Sequence, residues 1–153
     1  MQSMSLQAAP HEQVILRKLV WVGPLTIVMV ALANLVIRAL AVAFFGVPAG
    51  FGYLQAPVVI TGTLVYLLLA LLAFVLVGRF ARRPMRFYRI LAAIALVLSF
   101  ATPILALSGA LAAPGMDLHI FWTMIVMHVT SAVITVSLLT TLTPGREGIT
   151  SHR

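Results

Sequence analysis

The residues able to do chemistry here are few, and they stand in apolar surroundings. Asn34 and Arg38 lie four positions apart in a run of Leu, Val, Ala and Ile, which puts them on one face of a helix. Arg38 is a permanent cation with several donors and suits an anion. His128 lies in another apolar run, with Thr123, Ser131 and Thr135 nearby. It is the one group there that can exchange a proton near neutral pH. Tyr66 and Thr102 belong to two further runs. Asn34, Arg38, Tyr66, Thr102 and His128 are therefore the candidate ligand-binding set, for an anion at Arg38 or for a lipid, pigment or partner helix.

Each of these residues also has a plainer reading. Arg38 can snorkel to headgroups or pair with Asp117, the carboxylate between the third and fourth runs. Asn34 can link helices, and the small hydroxyl residues can mark close helix packing. His128 can be a satisfied core residue.

No catalytic residue is assigned. The apolar runs hold no acidic residue. The chain has no HExxH, paired carboxylates, P-loop, GxSxG or dinucleotide-binding glycine pattern. Catalysis would rest on His128, Arg38 and hydroxyls, a poor constellation. The chain has no cysteine, which excludes disulfides, thiolate nucleophiles, iron–sulfur clusters and cysteine-bound zinc. His119 is nine residues from His128 and off its face. No metal and no cofactor are expected.

The elements that position these residues follow from composition. Of the 153 residues, 62% are hydrophobic and 8% charged, against roughly 25% charged in a soluble domain. Mean hydropathy is +1.13. Such a chain cannot cover a water-facing surface, so its residues must face lipid. A spanning helix needs about 20 mostly apolar residues. Four stretches qualify, at about 19–45, 58–78, 90–111 and 120–142. The expected fold is all-α: a polytopic four-transmembrane-helix bundle forming one domain over 17–143. Residues 1–16 and 144–153 read as flexible tails. Pro103 is expected to kink the third span, and Pro24 sits near the start of the first, where proline is tolerated. The Ala-x-Ala patterns at 39–43 resemble a signal-peptidase site. The apolar run before them is too long for a signal peptide, so the first span is expected to remain uncleaved.

Charge sets the orientation. The net charge is +7, and a basic balance often signals nucleic acid. Here nine of the ten cations lie outside the apolar runs: Arg17, Lys18, Arg79, Arg82, Arg83, Arg86, Arg89, Arg146 and Arg153. That is the positive-inside pattern, so no nucleic-acid partner is expected. The 46–57 and 112–119 loops carry no Lys or Arg. The expectation is a multi-pass protein of the cytoplasmic (inner) membrane with both termini cytoplasmic (N-in/C-in). Arg79, Arg82, Arg83, Arg86 and Arg89 form a basic loop at 79–89, interleaved with Phe80, Phe87 and Tyr88. They read as topology determinants and lipid-headgroup contacts. In this orientation the five candidate site residues fall in the outer half of the bundle, suggesting a polar pocket that opens outward.

Three segments carry a family resemblance. They are LVWVGPLTIVMVALANLVIRALAVAFFGVP (19–48), VGRFARRPMRFYRI (77–90) and MHVTSAVITVSLLTTLT (127–143). The chain resembles small bacterial four-helix integral membrane proteins grouped as a domain of unknown function, common in actinobacteria and chloroflexi. The resemblance implies the same fold and membrane setting, with no assigned activity and no catalytic residue. Three function classes follow. The first is a non-enzymatic accessory or binding protein of the membrane. The second is a small oligomeric transporter or channel favouring anions through Arg38. The third is an intramembrane enzyme using His128. Membrane lipids are the expected partners, together with a homo-oligomer or a larger membrane complex.

Overall fold

The structure, a computed structural model, describes residues 16–143. Apart from Leu16, both expected tails lie outside the described residues, as do Arg146 and Arg153. A 3₁₀ turn at Leu16–Lys18 leads into α1 (Leu19–Phe44). A second 3₁₀ turn, Gly52–Leu54, precedes α2 (Ala56–Phe80). Then come α3 (Pro84–Ser99), α4 (Ala101–Leu107) and α5 (Leu118–Leu142). No strand occurs among the described residues.

Four helical segments are long and apolar enough to cross a membrane, with α3 and α4 together forming the third. At about 1.5 Å per residue each exceeds the ~30 Å hydrocarbon layer. The protein is a multi-pass membrane protein. Large apolar side chains such as Val20, Leu32, Leu68, Val97 and Trp122 point outward. They lie in lipid, where exposing Leu or Val costs nothing.

The helices form a ring. α1 packs against α5 and α2, and α3 closes the circuit by packing against α2 and α5. Two buried clusters lie at its ends. One joins Val22, Phe74, Val77, Met85, Tyr88 and Leu139, with Leu19 and Leu142 against it. The Phe74 and Tyr88 rings meet edge to face at 4.8 Å. The other joins Ala41, Val47, Phe51, Leu54, Ile120, Met124 and Met127. The start of α1, the α2–α3 connection and the end of α5 therefore share one end, which carries the arginines. The two long loops share the other.

The connections differ from the expected spans in two places. The basic segment is barely a loop. α2 runs through Arg79 to Phe80, and Pro84 starts α3, so Arg86 and Arg89 are helical. Proline at a first helical position has no hydrogen bond to lose and a φ suited to the helix. The third span is interrupted only at Phe100, three residues before Pro103, where a kink was expected, but it ends at Leu107 instead of Leu111. Pro103 has no N–H for the Ser99 carbonyl, and its ring crowds the preceding turn. Gly109, at φ 78°, then turns the chain out of the helix.

Candidate functional site

α1 is flanked by α2 and α5, and its buried stripe includes Val30 and Asn34. The Asn34 Nδ2 donates to Thr63 Oγ1 of α2 and to Ser131 Oγ of α5, each at 3.1 Å. Ser131 donates its own hydrogen to the Met127 carbonyl at 2.7 Å. Its hydroxyl is thereby oriented to accept from Asn34. A buried amide left without partners is costly, so this bonding sets the rotation of all three helices.

Arg38, one turn further along, is half-buried. It reaches the chain that follows its own helix. Nε donates to the Leu54 carbonyl at 2.5 Å and Nη2 to the Ala49 carbonyl at 3.2 Å. Asp117 serves instead as the cap of α5, accepting from the Ile120 N–H at 2.8 Å. His128 is half-buried, with Nδ1 2.6 Å from the Met124 carbonyl. A carbonyl only accepts, so Nδ1 carries the proton there. The ring stands edge-on to Phe100 at 6.4 Å, beside the α3–α4 break.

Tyr66 and Thr102 are not brought to this group. The buried stripe of α2 runs through Thr63, Leu67, Phe74 and Val77. Tyr66 projects beside that stripe and is 68% exposed. In α4 the buried residues are Pro103 and Ala106, and Thr102 is exposed. The five candidate residues therefore divide into an inter-helix bond at Asn34, a loop brace at Arg38, a helix-bound His128 and two outward-facing side chains. Among the described residues, no group of three His, Cys, Asp or Glu could hold a metal ion.

At the other end the five arginines separate as well. Arg82, Arg83 and Arg86 line an open groove of about 790 Å³ between the end of α2 and the start of α3. Arg89 points toward α5 and donates to Thr140 Oγ1 at 3.4 Å. Arg79 sits exposed in the last turn of α2.

Residues 14–144 match the family of unknown function DUF6069. The chain belongs to the DUF6069 family. The DUF6069 match takes in every helix described above, in keeping with the likeness that segments 19–48, 77–90 and 127–143 carry. No curated protein and no solved structure matches the chain.

One part of this DUF6069 chain's geometry has no signature in its sequence, and a second has only a faint one. The carbonyl acceptors of Arg38 are backbone atoms, so no residue type announces them. The groove arises because the basic segment folds into two helix ends. The alternation of Phe80 and Phe87 with arginine was its visible trace.

Proposed function

We propose that this DUF6069 protein is a non-enzymatic accessory protein of the bacterial cytoplasmic membrane that binds a partner through its lipid-facing helices. The observation that carries this reading is the use made of the interior polar groups. Asn34 bonds to Thr63 and to Ser131, and Arg38 bonds to loop carbonyls. These groups fasten the bundle. An anion pathway would need Arg38 turned into the bundle, and an enzyme would need His128 beside a second reactive group.

The binding role then falls to the outer faces. The α3–α4 span is the least covered, with 11% of its apolar window buried against 22% for α2 and α5. Its exposed face carries Ile94, Val97, Leu98 and Ile104 beside the smaller Ala93, Ala95 and Ala101, an apolar surface against which a second helix can pack. A photo-crosslinker at Ala95 in native membranes is expected to give a discrete protein adduct, and one at Leu72 of α2 is not. Lipid adducts alone from both positions would remove this reading.

The Lys/Arg distribution supports a cytoplasmic basic end. In a cysteine-free chain, Ala110→Cys should react with an impermeant maleimide in intact cells, and Ala81→Cys only after permeabilisation. The reverse result would invert the topology.

A further inference from the structure

The groove at the α2–α3 connection combines two chemistries along one line. Arg82 and Arg83 sit in the connection, and Arg86 lies in the first turn of α3. Phe80 and Leu76 follow back along α2, and Phe87 and Ile90 follow along α3. All four of these apolar side chains are exposed. Leu76 and Ile90 lie four and six residues from the helix ends, or about 6–9 Å deeper in the membrane at 1.5 Å per residue. The groove thus runs from guanidinium groups at headgroup level to exposed apolar side chains at acyl-chain level.

The charge is uncompensated within the groove. No lining residue is acidic. Among the described residues the single carboxylate, Asp117, caps α5 at the opposite end. Guanidinium groups bind phosphate through paired N–H donors. An occupant must therefore bring negative charge at one end and hydrocarbon at the other.

We propose that this groove seats one anionic phospholipid, its phosphate among Arg82, Arg83 and Arg86 and an acyl chain along Leu76, Phe80, Phe87 and Ile90. The seat is separate from partner binding on α3–α4 and does not depend on it. It also divides the arginines. Arg79 is outside the lining, and Arg89 is directed to Thr140.

The test is native mass spectrometry of the full chain in mild detergent, titrated with phosphatidylglycerol or phosphatidylcholine of matched chains. One phosphatidylglycerol per chain should be retained, at least about tenfold more tightly than phosphatidylcholine. Arg82→Gln, Arg83→Gln and Arg86→Gln together should abolish that preference. Arg17→Gln, Arg79→Gln and Arg89→Gln remove the same charge and should leave affinity within about threefold. Phe80→Ala with Phe87→Ala should weaken retention and keep the headgroup preference. Millimolar inorganic phosphate should not displace the lipid.

Equal losses in the two arginine triples would mean diffuse attraction and overturn the seat. So would equal retention of the two lipids, displacement by inorganic phosphate, or a bound acidic polypeptide in place of lipid. Circular dichroism checks folding. If the groove triple fails to fold, the single arginine changes carry the test, each expected to weaken binding about fivefold.

Discussion

Asn34 Nδ2 donates to Ser131 Oγ at 3.1 Å, joining α1 to α5 across the most extensive helix–helix interface of the bundle. The bond lies between two apolar end clusters. Apolar side chains have no strong preference for each other over lipid, so polar links and close packing decide how membrane helices seat. The same amide also reaches Thr63, which makes Asn34 the point where three spans are fixed in register.

Asn34→Ala should therefore destabilise the bundle, and Ser131→Ala should cost little more once Asn34 is gone. A double-mutant cycle, read by unfolding in mixed micelles, should give a coupling of about 1 kcal/mol. Additive effects would mean that the two side chains do not interact.

Arg38 braces residues 49–54 by donating to two carbonyls from one planar group. Arg38→Leu should raise the hydrogen-exchange rate of the Phe51 and Leu54 amides by at least about tenfold, since losing even one charged hydrogen bond at about 1.5 kcal/mol is worth that factor. Arg38→Lys should fall between, because an ammonium lacks the fork that meets both acceptors. Unchanged exchange in Arg38→Leu would show that the loop is held by its buried Phe51 and Leu54 alone.

Gly46 and Gly52 make a controlled pair in the same loop. Neither has an atom within 4 Å of an added Cβ, and only Gly46 has positive φ, at +68°. Gly46→Ala should cost about 1 kcal/mol through backbone strain. Gly52→Ala should lie within about 0.5 kcal/mol of the parent. Equal melting temperatures for the two variants would contradict the left-handed turn after α1.

Asp117 accepts the Ile120 N–H at the start of α5. Asp117→Ala should lower stability by about 1 kcal/mol, and Asp117→Asn by much less, because asparagine caps nearly as well. Were the carboxylate needed chiefly as a charge partner for Arg38, asparagine would be as harmful as alanine. Comparing the two thermal unfolding midpoints separates the roles.

What the sequence determined by itself is the frame. Apolar length and breaker residues count positions along the chain, and those counts place four spans whatever their packing. The departures were local. Pro84, read as part of a loop, became a helix start, while Pro103 interrupts the third span at the single residue Phe100 and leaves one spanning segment, as the expected kink. The tertiary structure alone decided how each helix is turned about its axis. A soluble helix announces its inner face by the polarity of its outer face. Here Leu67 faces the core and Leu68 the lipid, and no difference in residue type marks which is which. Tyr66 and Thr63 looked alike as polar residues of one span, yet packing buried Thr63 against Asn34 and left Tyr66 outside. Arg38 found its partners in backbone carbonyls eleven and sixteen residues away, a match that exists only once the chain has folded back on itself.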